Sequence, residues 1–208
     1  MSRDFFNLWR KKHKLFPTTV QLEGVDTSIN TDFRVALKLL AIYSDNELSD
    51  VRKAQLALRH FYSTIPEQSK IQEALVHLKD FLTPPKQNNM LSEFKKAKKG
   101  QDEEENKKPP QICFEFDAEE IYVSFIADYQ IDLIEVEYLH WYKFLILFAN
   151  LSNETPLMKK VELRTKDLSQ FKGKEKAKLV KAQKAVQIPE KVSAEEAQAI
   201  SDFMSKLI

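Results

Sequence analysis

The sequence predicts a mainly α fold: a helical bundle with a small N-terminal β-hairpin and a flexible charged linker in the middle. Three observations predict it. Apolar residues recur at steps of three and four through most of the chain, the period of helices buried along one face. Only 3 glycines occur in 208 residues, too few for a many-turned β-fold. Residues 18–29 instead alternate apolar and polar about Glu23-Gly24, the pattern of two short strands and a tight turn.

The elements follow in order. Residues 1–17 form an N-terminal extension in which Phe5, Phe6, Leu8 and Trp9 precede a basic run. It is short for a membrane-surface helix and suits one docked on the body. In the hairpin, Val20 and Leu22 alternate with polar residues, as do Val25, Thr27 and Ile29, and Gly24 supplies the positive φ of a tight turn. A first helix starts at Asn30 or Thr31 as cap, with Asp32 favouring its positive end and Phe33, Ala36, Leu37 and Leu40 as its inner face. Leu48, Val51, Leu58 and Phe61 mark a second helix, with His60 beside the stripe. Pro66 opens a third, whose stripe is Ile71, Leu75, Leu78 and Leu82 and which Thr83-Pro84-Pro85 ends. Residues 18–83 thus make a hairpin plus a three-helix unit.

Residues 84–112 carry a basic and then an acidic block with few apolar side chains. Such a segment buries too little surface to offset its ordering entropy, which makes it a linker. Residues 113–208 form a C-terminal helical unit packing on the first. Asp117 and Glu120 have the spacing of a capping box for a helix with Ile121, Tyr122, Phe125 and Tyr129 inside. The longest apolar segment, Gln130 to Leu151, reads as one central helix, since Ile134, Tyr138, Trp141, Leu145 and Phe148 keep the helical step. It is apolar nearly all round in its second half and must be covered on several sides. Thr155-Pro156 restarts the chain as a helix with Leu157, Met158 and Val161 inside. A Lys-rich helix, Lys172 to Val186, has a thin apolar face and closes at Pro189. Ser193 and Glu196 cap a last helix bearing Ile200, Phe203, Met204 and Leu207.

Composition and spacing exclude several functions. Lys plus Arg number 32 and Asp plus Glu 31, so no charge bias draws the chain to nucleic acid or an anionic membrane. The central segment is interrupted by Glu135, Glu137, His140 and Lys143, against a membrane span. The single Cys113 cannot pair internally, and the N-terminus lacks the apolar run of a signal peptide, so a cytosolic protein is expected. Cys113 has no Cys-His signature around it as a nucleophile. Glu137-x-x-His140 has the spacing of di-metal bundle ligands, but no second such pair exists, and His60 and His77 lack zinc-protease spacing. No phosphate loop, nucleophile elbow or dinucleotide fingerprint occurs. The lysines of 172–184 wrap around their helix without interleaved aromatics for stacking on bases. The residues therefore describe a non-enzymatic protein without metal or cofactor, in which nucleic acid is the weaker partner class.

Two stretches resemble a known family. The first is the hairpin followed by Ile29-Asn30-Thr31-Asp32-Phe33-Arg34. The second runs from Phe114 to Leu151, with Asp117, Ile121-Tyr122, Phe125, Tyr129, Ile131-Asp132-Leu133 and Leu139-His140-Trp141-Tyr142-Lys143-Phe144. Arg164-Thr165-Lys166-Asp167-Leu168 adds to them. Together they are similar to a bacteriophage protein family of Gram-positive hosts and their prophages, encoded beside the tape-measure gene and regarded as tail assembly chaperones. The chain departs from the family at Tyr142, where a second Trp is common, and at its Glu-Gly turn, where Asp-Gly is commoner. The resemblance implies a chaperone that binds the tape-measure protein and keeps it soluble in the host cytoplasm until the tail tube polymerises, and that is absent from the finished virion. It also implies contact with tail tube protein and self-association as further candidates. Helix-in-groove docking suits such a client. The partner groove is then expected in the exposed members of Tyr138, Trp141, Tyr142, Phe144 and Phe148, with Phe125 nearby. A structural tail component, such as a completion or connector protein, and a nucleic-acid-binding phage regulator are the alternatives.

Overall fold

The computed structural model describes residues 16–82 and 111–189, which fall into two compact units. The first gathers residues 16–82 and Glu137–Ile146; the second gathers residues 111–136 and 147–189. Among the described residues the fold is mainly helical, with seven α-helices and one two-stranded hairpin. None of these helices is long and apolar enough to cross a membrane. The linker 84–112 except its last two residues, the N-terminal extension except Phe16 and Pro17, and the last helix with its Ser193 cap lie outside the described residues.

In the first unit β1 (Thr19–Leu22) pairs antiparallel with β2 (Val25–Ser28), and Glu23 (φ 48°) and Gly24 (φ 80°) make the two-residue turn. Positive φ at both positions is the type I′ turn, whose twist matches that of the strands. The hairpin leans on the helices as expected: Leu22 and Ile29 are buried, Ile29 bridges to Tyr62, and the Glu23 amide donates to Glu73.

Three helices follow. α1 (Phe33–Ser44) is capped by Asp32, not by Asn30 or Thr31, because the Asp32 carboxylate accepts the Arg34 amide at 2.9 Å. Its buried face is Phe33, Ala36, Leu39 and Tyr43, so Leu37 and Leu40 sit at the flank of the stripe. α2 (Asp50–Phe61), capped by Ser49, buries Ala57, Leu58 and Phe61; Val51, expected inside, is exposed in its first turn. Pro66 does not open the third helix. A 3-10 turn, Gln68–Lys70, leads into α3 (Ile71–Leu82), which buries Ala74, Leu75, Leu78 and Phe81; the expected stop at Thr83-Pro84-Pro85 lies outside the described residues.

In the second unit α4 (Ala118–Tyr129) buries Ile121, Ser124 and Phe125. α6 (Pro156–Thr165) has Thr155 as cap, Pro156 in its first turn, and Leu157 and Val161 inside. α7 (Gly173–Val186) buries no side chain, in keeping with its thin apolar face.

The central helix is shorter than its periodicity predicts. α5 spans Trp141–Ala149 only, and residues 130–140 are turns and extended chain. Gln130 takes the left-handed conformation (φ 54°), and the Gln130 and Ile131 amides return to Ile126 and Phe125, which closes α4. Asp132 then accepts the amides of Ile134 (2.8 Å) and Glu135 (3.2 Å), a side-chain turn that competes with helix. Ile134 is accordingly 69% exposed instead of lining a helix.

Candidate partner-binding site

Within the first unit, the two most distinctive sequence signatures bind each other. Asp32 and His140 face each other in an antiparallel bridge. The Phe33 amide donates to Leu139 O at 2.9 Å, and the Trp141 amide to Thr31 O at 2.7 Å. The Asp32 carboxylate caps α1, receives the Arg34 guanidinium at 2.8 and 3.0 Å, and accepts the Leu139 amide at 3.3 Å. Arg34 donates onward to Glu137 O at 2.9 Å. Burial opposes charge on Asp32, but the hydrogen bonds from Arg34 and Leu139 outweigh it and hold the carboxyl below the usual range.

The aromatic members of the signatures fill the core behind this latch. Phe33 stacks on Phe144 (centroids 4.9 Å apart), Phe144 on Trp141 (5.6 Å), and Tyr142 on Phe81 (5.2 Å). His140 is buried: its Nδ1 accepts the Tyr142 amide at 3.0 Å, which leaves the proton on Nε2, donated to Pro17 O at 3.0 Å. Burial pushes His140 below its ordinary value and keeps it neutral, and burial together with Asp80 pushes Tyr142 up to about 12.

Of the six side chains expected to form a partner groove, Phe125, Trp141, Tyr142, Phe144 and Phe148 are buried. Phe125, Trp141 and Phe144 are at or below 2% exposure, so these rings are core. Tyr138 is the open one, at 52%, because it stands in the extended segment before α5. Its hydroxyl lies 2.5 Å from Thr31 Oγ1, which fixes the ring at the rim of a cleft of about 510 Å³ in the first unit. Asn30, Thr31, Arg59, His60 and Ser63 also line that cleft. Sequence reasoning placed His60 beside the α2 stripe but missed Arg59 and Ser63. The available signal was a basic last turn followed by Tyr62-Ser63 as the chain leaves the helix.

The other chemical candidates resolve into structural roles. Glu137 and His140 do not share a helix face, since both precede α5. Cys113 is buried, and its sulfur accepts the Phe116 amide at 3.3 Å. Among the described residues no three His, Cys, Asp or Glu side chains gather as metal ligands. Asp117 does not act as a capping box with Glu120: its carboxylate turns to Arg164, at 2.7 and 2.6 Å, and to Lys160 at 3.0 Å. It also takes the Cys113 amide at 3.0 Å, while Lys160 is shared with Glu120 at 2.6 Å. Burial opposes ionisation of Asp117, yet the Arg164 fork, the Cys113 amide and Lys160 keep its carboxyl below the usual range. The guanidinium of Arg164 also donates to Gln111 O at 2.9 Å and Val186 O at 2.5 Å, tying together the segments around α4, α6 and α7 in the second unit.

Comparison with known proteins supplies one positive finding. No curated protein and no solved structure matches the chain. The model of the family described as bacteriophage Gp15 protein matches residues 13–188, a span that includes the latch of the first unit and the Asp117–Arg164 clamp of the second. The chain belongs to the bacteriophage Gp15 protein family.

Proposed function

We propose that this phage protein is a non-enzymatic tail assembly chaperone of phages of Gram-positive hosts, which binds the tape-measure protein and keeps it soluble in the host cytoplasm until the tail tube polymerises around it. The observation that carries the reading is the family match across residues 13–188, joined to the resemblance of its two signatures to tail assembly chaperones. A mainly helical fold with exposed apolar side chains suits a helix-rich client whose own stripes need cover. In the first unit Val51, Ile65 and Tyr138 are more than half exposed. Since the other five expected anchors are buried, Tyr138 and the cleft beside it are where the client contact is assigned.

Co-expression with the tape-measure protein of the same genome, followed by affinity capture, tests the proposal. The tape-measure protein is expected to become soluble only in the presence of this chain and to co-purify with it, and finished particles are expected to lack this chain. Insoluble, unbound tape-measure protein with this chain present in purified virions would instead make it a structural tail component.

A further inference from the structure

The cleft beside Tyr138 has a chemistry of its own. Its volume of about 510 Å³ leaves room for a side chain to enter. Among the described residues no carboxylate lines it and Arg59 makes no ion pair. Its polar wall consists of Asn30, Thr31, Arg59, His60, Ser63 and Tyr138. Neither the side-chain nitrogen Nδ2 of Asn30 nor the Ser63 hydroxyl hydrogen-bonds within the described residues, so both donors are available to a ligand. Burial, Lys38 and Arg59 push His60 below its ordinary value, which leaves one full positive charge, that of Arg59, in the cleft at neutral pH. One fixed cation with neutral donors around it matches a monoanion, and the planar guanidinium fork matches a carboxylate. Asn30, Arg59, Ser63 and Tyr138 are all exposed, so the site opens outward and a side chain can enter it without moving the chain. The exposed tyrosine ring adds an amphipathic wall of the kind enriched in protein interfaces.

We propose that this cleft is a binding subsite for a carboxylate carried by a partner polypeptide, an Asp or Glu side chain held by Arg59, Asn30 and Ser63 with its flanking apolar residue against Tyr138. The proposal rests on the partner-binding reading only for which chain brings the carboxylate. It predicts that binding weakens about tenfold when that one charge is removed on either side.

The test uses the full-length ¹⁵N-labelled protein and defined probes: the blocked peptide acetyl-Ala-Leu-Glu-Ala-Leu-amide, its Gln twin, and inorganic phosphate. The Glu peptide is expected to shift the amides of Thr31, His60, Ser63 and Tyr138 saturably, with the Gln twin about tenfold weaker, the scale of one charge-assisted hydrogen bond. Arg59→Gln is expected to bring the Glu peptide down to the level of its twin with the rest of the spectrum unchanged, which shows that the variant is folded. Equal binding of the two peptides, or shifts mapping away from the cleft, overturns the proposal. Phosphate binding tighter than the Glu peptide overturns it too, in favour of a phosphate subsite. None of these outcomes depends on the tape-measure protein, whose capture is judged separately.

Discussion

The most direct perturbation is Asp32→Ala, because one carboxylate holds both ends of the latch. It caps α1 through the Arg34 amide at 2.9 Å, pairs with the Arg34 guanidinium at 2.8 and 3.0 Å, and accepts the Leu139 amide at 3.3 Å. Loss of an N-cap costs about 1 kcal/mol. Loss of a hydrogen bond to a charged acceptor costs about 1.5 kcal/mol. The ion pair adds less than about 1 kcal/mol, since the Arg34 side chain is 43% exposed and screened by water. The sum places Asp32→Ala at about 2–4 kcal/mol of lost stability. Asp32→Asn keeps the cap and loses the charge, so about half of that is expected. Arg34→Ala removes the exposed pair and the bond to Glu137 O, a cost of about 1 kcal/mol. Trp9 and Trp141 are the two tryptophans, so in a Trp9→Phe background urea unfolding followed by fluorescence reports Trp141 alone, inside the unit concerned. An Asp32→Ala loss below about 0.5 kcal/mol, or one equal to that of Arg34→Ala, would refute the view that Asp32 joins the two signatures.

Four further outcomes are expected. Arg164→Ala leaves the fully buried Asp117 without its fork and should destabilise the second unit by about 3–5 kcal/mol, with Arg164→Lys in between, read by hydrogen-exchange protection of α4 and α6. His140 is held below its ordinary 6.5, so from about pH 6.5 down to its folded value the unfolded chain binds a proton that the folded chain refuses. Stability should therefore fall as pH drops through that window, by up to about 1.4 kcal/mol per pH unit, and His140→Gln should flatten this part of the profile in denaturation series from pH 7.5 to 5. At the hairpin, Gly24→Ala meets positive φ and should cost about 1 kcal/mol, whereas Glu23→Asn suits the type I′ turn and should gain a few tenths, both read as denaturation midpoints. Trp141→Ala should lose about 3–5 kcal/mol as a core truncation, while Tyr138→Ala should lose about 1 kcal/mol and weaken capture of the tape-measure protein.

What the sequence revealed tracks where local chemistry and helical period agree. The hairpin, the Thr155-Pro156 start of α6 and the bare face of α7 each rest on signals within a few residues, and the structure has them where expected. The long central helix is not formed, because the apolar period runs on across Gln130 and Asp132 while the backbone does not. A left-handed closing residue and an aspartate bonding two amides ahead outweigh an apolar repeat, and both were visible as residue types. Asp117 failed for a different reason. Its spacing to Glu120 fits a capping box, but Arg164 lies 47 positions away, and no local pattern announces that a carboxylate will be taken by a distant guanidinium.

The same distinction bears on function. Aromatic residues cluster before and within α5, and five of the six expected to meet a partner there or nearby are buried. Their identity is explained by stacking, as with Phe33, Phe144 and Trp141, and needs no partner. Tyr138 differs because the break of the predicted helix moved it. Had residues 130–149 been one helix, Tyr138 would share the face of Trp141 and Leu145 and be covered with them. Ending α4 at Gln130 instead leaves residues 131–140 outside any helix; Leu139 and His140 lie beside Asp32, and the ring at 138 stands out to solvent with its hydroxyl held by Thr31. The turn at Asp132 that defeats the periodicity therefore also accounts for an open tyrosine where the helical period alone predicts a covered one.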